Sequence, residues 1–542
     1  MHQIGEQAPS LPPAAAPGAP GSAAARQATR RRTFAIISHP DAGKTMLTEK
    51  FLLYAGALTQ AGSVRARGGR REATSDWMEL EKQRGISISS TVLQFSYRDH
   101  VVNLLDTPGH RDFSEDTYRV LAAADAAVMV LDVAKGVEAQ TLKLFEVCRT
   151  RGLPVLTFLN KCDRPGRDPL ELLDEIENQI GLAPAPVTWP VGEGGDFRGV
   201  IDRRTGSFIE FGRRAHGANM ASEEHLDAAE AERRHGPAWQ RARDDCELLD
   251  EVGATLDVEA FLAGRSTPLF VGSALTNFGV GQLLDGVIDL APPPSPQADR
   301  NGQHRPLGAP FSGFVFKVQA NMNPAHRDQV AFVRVCSGHF ERGKTLTHGP
   351  TGRAFPTKYA TSIFGAERIT VDDAWPGDVI GLVNASGLRI GDTLFDGESV
   401  TFPPIPVFAP ELIATAYPRD VSRSKQFRRG LEQLATEGVI QILYRRGGDP
   451  MPVLAAVGAM QFEVLAHRLD HEFKAAVELS APNVRSVRRT DVATAEQLLG
   501  SGGVEVLERS DGVLLAVFES PYWLERQIRE HPDWTLDTIV TT

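Results

Sequence analysis

The chain has 542 residues, which at about 150 residues per domain argues for three or four domains and excludes a peptide or a single small module. Hydrophobic residues make up 42% and charged residues 23%, an ordinary globular balance that argues against wholesale disorder and against a fibrous chain. The formal net charge of −11 means that any nucleic-acid partner must be met by a local basic face and not by bulk attraction.

Four cysteines, Cys148, Cys162, Cys246 and Cys336, lie without CxxC or metal-ligand spacing, so no disulfide framework or zinc site is expected and a reducing cytoplasm fits best. No apolar run approaches the roughly 20 residues of a membrane span; the longest candidate, 120–134, is broken by Asp125 and Asp132. Residues 1–32 alternate Pro, Ala and Gly and end in Arg30, Arg31 and Arg32, which reads as a disordered tail and not as a secretory signal.

Regular structure is expected from residue 33, where a continuous apolar run of strand length is followed by a turn and a helical pattern from Lys44. Strand-sized runs recur at 101–105, 126–131, 154–159 and 269–271, separated by helix-length stretches such as 138–151 and 169–180. That alternation predicts a mostly parallel sheet with helices on both faces over 33–296, interrupted by a polar insertion at about 203–265. The segment 291–296, Ala-Pro-Pro-Pro-Ser-Pro, reads as a stiff linker. From 297 to 407 short alternating strands with Ser-Gly, His-Gly and Pro-Gly-Asp turns predict an antiparallel β-barrel. From 408 to 542 strands alternate with two amphipathic helices, one apolar along Phe427, Leu431 and Leu434 and one along Phe462, Leu465, Leu469 and Phe473. An α+β domain follows from that pattern, with a further β-rich piece and a last helix near 521–530. The fold class expected is thus multidomain: α/β, then a β-barrel, then α+β.

The chemistry concentrates in the first domain. Ser38, His39, Pro40, Asp41, Ala42, Gly43, Lys44 and Thr45 connect the first strand to its helix, where backbone N–H groups and the helix N-terminus can hold a phosphate chain. Lys44 would meet the β- and γ-phosphates and the Thr45 hydroxyl would ligate Mg²⁺. The loop departs from GxxxxGK[ST] at its first position, Ser38, and an ordinary strand-to-helix turn is the plain alternative. Asp106, Thr107, Pro108, Gly109 and His110 follow the strand ending at Leu105. Asp106 can reach Mg²⁺ through water, the Gly109 N–H can sense a γ-phosphate, and His110 comes within reach of an attacking water.

Asn160, Lys161, Cys162 and Asp163 end the next strand but one. A carboxylate at Asp163 can accept both N1–H and the exocyclic amine of guanine, whereas adenine would leave that charge unpaired, so the nucleotide read here is GTP or GDP and not ATP. Lys161 can cover the base plane, and the Gly272, Ser273, Ala274 turn can offer a backbone N–H to guanine O6. Arg84-Gly-Ile-Ser-Ile88, preceded by residues 75–83, reads as a mobile segment whose Ser87 hydroxyl reaches Mg²⁺ only when the γ-phosphate is present. A surface loop is the simpler alternative there.

Arg-Gly-Ile-Ser, Asp-Thr-Pro-Gly-His and Asn-Lys-Cys-Asp together resemble the P-loop GTPase domain of the translational factors, the group that contains elongation factors Tu and G. More narrowly, the phosphate loop with its opening Ser38, Thr74-Ser-Asp-Trp-Met-Glu79, Asn277-Phe-Gly-Val280, Phe311-Ser-Gly-Phe-Val-Phe-Lys-Val-Gln-Ala-Asn-Met322 and His326-Arg-Asp328 resemble the bacterial peptide chain release factor 3 family. Met46 departs from that family's usual Thr. The resemblance implies a ribosome-dependent GTPase that drives departure of a class I release factor after peptide release, with His110 as the catalytic residue, brought into place by the sarcin-ricin loop. It also implies a cytoplasmic monomer off the ribosome. Too few residues follow the α+β domain for the two extra domains of elongation factor G, which speaks against translocation. The alternatives are another ribosome-dependent GTPase, of the elongation or ribosome-protection type, and a GTP-dependent scaffold without significant turnover. Lys425, Arg428, Arg429, Arg445 and Arg446 leave an rRNA contact open, although a solvated charged face is the simpler reading.

Overall fold

The computed structural model describes residues 22–57, 87–212, 220–320, 329–364, 367–405, 407, 409–446, 451–480, 483–499 and 501–538. Residues 1–21 of the expected tail and residues 75–86 of the expected switch segment, Trp77 among them, lie outside those described.

The first domain is built on a sheet of β1 (Arg31–Ser38), β2 (Thr91–Tyr97), β3 (His100–Asp106), β4 (Ala126–Asp132), β5 (Val155–Asn160), β6 (Ala183–Pro186) and β11 (Ser266–Val271). Their order is β2-β3-β1-β4-β5-β11-β6. All neighbours are parallel except β2 and β3. Strands covered on both faces must be apolar at every position, and β4 is buried throughout its length. The two cores divide the sheet: Ala35 and Ile37 of β1 face one, Phe34 and Ile36 the other. The parallel arrangement brings the carboxyl ends of β1, β3, β4 and β5 to one edge, and with them Ser38, Asp106, Asp132 and Asn160. β1 lies between β3 and β4, where the strand order reverses, which is the place an open α/β sheet binds its ligand.

Two expected boundaries move. Residues 22–32 are not tail: Ala23–Thr29 is a helix capped by Ser22, whose Oγ accepts from the Ala25 N–H at 3.1 Å, and β1 begins at Arg31. The Ala-rich composition that reads as low complexity is also strongly helix-forming once Ala24 and Ala28 have something to pack against. The inserted segment starts earlier than residue 203, because β7 (Thr188–Val191), β8 (Gly199–Asp202), β9 (Ser207–Gly212) and β10 (Ser222–Leu226) form a second, antiparallel sheet in the order β10-β9-β8-β7. The helix Ala228–Glu251 packs on it through Trp239 and kinks at Gly236, φ +42°, before Pro237.

The second domain is an eight-stranded antiparallel sheet centred on the Ser312–Ala320 and Gln329–Ser337 pair, wrapped around Val315, Val333, Val335, Phe340 and Ile380. It is fixed to the first domain by buried charge. Arg31 Nε lies 2.8 Å from Asp378 Oδ2, Arg334 meets Asp125 at 2.6 Å, and Thr33 Oγ1 donates to the Gly377 carbonyl at 2.7 Å. The Arg30–Arg32 run is therefore partly interface and not a solvated tail end.

The third domain is one mixed unit, and the expected further β-rich piece is part of its sheet. Gln441–Arg445 pairs with Val504–Arg509, so the C-terminal strands extend the sheet that carries Leu412–Pro418 and Val453–Ala456. The helices Ser424–Thr436 and Ala459–His471 cover one face through Phe427, Leu431, Leu434, Phe462, Leu465 and Leu469. The last helix is Pro521–Glu530. On the charged face, Arg445 pairs with Glu505 at 2.8 Å and Lys425, Arg428 and Arg429 are exposed.

Candidate functional site

The loop after β1 is shaped by what surrounds it. Gly43 has φ +100°, and a Cβ there would lie 2.4 Å from Asn160 Nδ2, so only glycine fits. Asn160, at the end of β5, donates from Nδ2 to the Ala42 carbonyl at 2.7 Å and accepts at Oδ1 from the Ala274 N–H at 2.9 Å. One side chain thus braces the phosphate loop against the Ser273–Ala274 turn. Lys161 reaches across in the same direction: Nζ donates to the Asp41 carbonyl at 2.6 Å and to Asp132 Oδ2 at 2.8 Å. Burial works to raise the Asp132 carboxyl, but the Lys161 ammonium and the Ala134 N–H outweigh it and hold the group below the ordinary carboxylate value.

Ser38, His39, Pro40, Asp41, Gly43, Lys44, Thr45 and Met46 line a cavity of about 320 Å³ together with Ser87, Gly109 and His110. Lys44 is buried, and a Cβ at Gly109 would stand 3.0 Å from its Nζ, so loop lysine and switch glycine meet face to face. His39 is held at the cavity wall by Glu138, 2.6 Å from Nδ1, and by the Pro40 carbonyl. Burial lowers its pKa, and the Glu138 charge opposes that shift. Thr107 Oγ1 donates to the Ile36 carbonyl at 2.6 Å, and Thr117 Oγ1 donates to the Pro108 carbonyl at 3.3 Å, which fixes the segment that carries Gly109 and His110. The His110 imidazole is 30% exposed, and its Nδ1 accepts from the Asp112 N–H at 3.2 Å.

Two of the three oxygen donors expected for a divalent cation meet, and the third closes a neighbouring strand. Thr45 Oγ1 and Ser87 Oγ lie 3.2 Å apart, from segments with no other sequence relation, and Asp106 is buried at the end of β3. Two adjacent hydroxyls lining the cavity, with a carboxylate at the end of the strand next to β1, are a donor set suited to a hard, oxygen-seeking ion such as Mg²⁺. At the far end, Asp163 Oδ1 is buried with no hydrogen-bond partner among the described residues, as a group kept for a ligand's N–H would be. Cys162 serves the backbone: its N–H donates to the Gly272 carbonyl at 3.1 Å, and burial pushes its thiol up to about 12. The Ser273 N–H is taken by the Phe278 carbonyl at 2.8 Å. The backbone N–H groups of the Gly272, Ser273, Ala274 turn, one of them expected to reach guanine O6, are thus engaged within the protein: that of Gly272 donates to the Leu159 carbonyl at 2.9 Å and that of Ala274 to Asn160.

Sequence reasoning missed Asp132, Glu138 and Asp112. Asp132 carries a signal, a carboxylate closing an apolar strand as Asp106 does; Glu138 carries none, because its partner His39 is remote in sequence, and nothing beside Asp112 sets it apart from other acidic first-turn residues. All four cysteines are free and buried, in keeping with the lack of any pairing pattern. No described helix is long and apolar enough to cross a membrane.

Family models match the chain in three consecutive pieces: the elongation factor Tu GTP binding domain over residues 29–293, elongation factor G domain 2 over 310–397, and the C-terminal domain of class II release factor RF3 over 402–527. A GTP-binding domain of the elongation factor Tu type at the head of this domain order defines a translational GTPase. Among similar proteins, peptide chain release factor 3 of Microcystis aeruginosa is 48% identical over 94% of this chain and 93% of its own. That of Synechococcus elongatus is 53% identical over 82% and 81%, and that of Bordetella pertussis 52% over 83% and 84%. A crystal structure of a Thermus thermophilus protein superposes with a TM-score of 0.67 at 25% identity, covering 85% of this chain and 70% of that one. The chain belongs to the peptide chain release factor 3 family and is a guanine-nucleotide-binding GTPase of translation termination.

Proposed function

We propose that the chain hydrolyses GTP on the ribosome and uses the difference between its nucleotide states to drive class I release factors off after the peptide has left. The observation that carries this reading is the convergence of Lys44, Thr45, Ser87, Gly109 and His110 on one cavity. Lys44 and the loop N–H groups hold the β- and γ-phosphates, Asp163 accepts from guanine, and His110 orients the attacking water, so catalysis is chiefly positioning and charge stabilisation. Thr45, Ser87 and, through water, Asp106 would hold Mg²⁺, which when bound neutralises charge on the phosphate oxygens. His110 reaches its working position against the sarcin-ricin loop of the large-subunit rRNA. Off the ribosome the protein is a cytoplasmic monomer.

The link from nucleotide to domains begins two residues after Ser87. Lys317 of the second domain donates to Ser89 Oγ at 2.8 Å, to Ser90 Oγ at 2.9 Å and to the Ser90 carbonyl, while the Ser90 N–H donates to Asp116 at 2.7 Å. Loss of the γ-phosphate frees Ser87 and Gly109, and the strain of that release falls on these contacts. The expected result is that purified ribosomes raise GTP turnover by about 10² or more. Equal turnover with and without ribosomes contradicts the proposal.

A further inference from the structure

The helix Ala459–His471 of the third domain begins without a cap of its own. Its N-cap position is Gly458, which has no side chain to accept from the first-turn N–H groups that every helix leaves open. Gln461 Oε1 accepts from the Gly458 N–H at 3.1 Å and the Val457 N–H at 2.7 Å, which secures the chain before the helix and not the turn itself. The cap comes from the first domain: Asp112 Oδ2 accepts from the Met460 N–H at 2.9 Å across 348 residues of sequence. Gly458 has φ −143° and ψ 162°, an extended conformation open to any residue, yet a Cβ there would lie 2.0 Å from Asp112 Cγ. The glycine is needed for the carboxylate's space and not for its backbone.

Asp112 also holds the imidazole. Its own N–H donates to His110 Nδ1 at 3.2 Å. A neutral ring that accepts at Nδ1 carries its proton on Nε2. Around this point Ile88, next to Ser87, and Phe113, next to Asp112, pack on Val464 of the same helix, with Val439 and Met460 against them. Both ends of the nucleotide-sensing segments therefore rest on one helix of the third domain.

We propose that Asp112 is a positioning residue through which the seating of the third domain sets the orientation of His110. The carboxylate caps the helix, the backbone N–H of the same residue fixes the imidazole, and displacement of the helix rotates the turn that carries both. The inference rests on the role given to His110 above and adds to it the group that holds that residue.

The test is ribosome-stimulated GTP turnover at saturating ribosomes, with the KM for GTP, in Asp112→Ala, Asp112→Asn, Gly458→Ala, the Asp112→Ala/Gly458→Ala double variant and His110→Ala. Asp112→Ala and Gly458→Ala should each lower kcat by about tenfold, the scale of a small misplacement of a catalytic group, with the KM for GTP unchanged. Asp112→Asn should keep most of the wild-type kcat, since its side-chain oxygen still accepts from Met460. The double variant should be no slower than Asp112→Ala alone, because the overlap made by the alanine at 458 disappears with the carboxylate. Wild-type kcat in Asp112→Ala, an Asp112→Asn as slow as Asp112→Ala, or additive losses in the double variant would overturn the proposal. The aspartate pair decides the matter even if Gly458→Ala fails to fold. Loss in His110→Ala without loss in Asp112→Ala rejects only the role of Asp112, whereas full turnover in His110→Ala rejects the reading beneath it.

Discussion

His110→Ala lowers ribosome-stimulated GTP hydrolysis by about 10² or more and leaves GTP affinity within a few-fold of wild type. The two effects separate because the holding and the orienting are done by different groups. On the proposed reading Lys44, the loop N–H groups and Asp163 hold the nucleotide, and the bonds that brace the loop, from Asn160 to Ala42 and from Lys161 to Asp41 and Asp132, do not pass through His110. The imidazole stands at the cavity wall and, among the described residues, is hydrogen-bonded to its own turn through the Asp112 N–H. On that reading its removal leaves the loop intact and takes away the group that aligns water with the γ-phosphoryl. Single-turnover hydrolysis on ribosomes and a fluorescent-nucleotide titration measure the two quantities. A parallel loss of both would mean that His110 supports binding and not the reaction.

Asp163→Asn shifts base preference from GTP towards XTP by a factor of about 10³ or more. On the proposed reading the carboxylate accepts two N–H groups of guanine, while an amide can accept one and donate to the 2-oxo group that xanthine carries. The size follows from burial: Asp163 Oδ1 is enclosed and has no partner among the described residues, so a mismatched base leaves a polar group with neither ligand nor water. Competition binding of the two triphosphates reads the shift directly. Retained preference for GTP by the wild-type margin would remove Asp163 from base reading.

Most of the site was legible because its chemistry is local. Ser38 to Thr45, Asp106 to His110 and Asn160 to Asp163 are short runs at strand ends, and a parallel sheet brings strand ends of one sense to one edge. The three-domain order was legible from the change of periodicity, 3.6 to 2 and back, at the linker and near residue 410. What escaped was set by partners distant in sequence. Ala23–Thr29 reads as tail until Ala24 and Ala28 are buried, and Arg31 reads as solvated until Asp378 of the second domain is beside it. The Gly272, Ser273, Ala274 turn reads as offering guanine a backbone N–H until Leu159, Phe278 and Asn160, the last 114 residues from Ala274, take all three. Asp112 looks like one more acidic residue in a first turn; nothing near it in sequence announces an uncapped helix in the third domain. The start of the insertion was missed because β7 and β8 are apolar and resemble further strands of the main sheet, while only the later, polar part looks foreign to it.

The central claim is that the difference between nucleotide states is what moves the class I factor, since a ligand can shift an equilibrium only by its differential affinity for the two states. The most direct measurement is the dissociation of a labelled class I release factor from post-termination ribosomes, chased with unlabelled factor in the presence of this protein and GTP, GDP or no nucleotide. The account predicts rapid departure with GTP alone and no movement of tRNA with the mRNA. Equal departure rates in all three conditions, or tRNA movement in place of factor release, would contradict it.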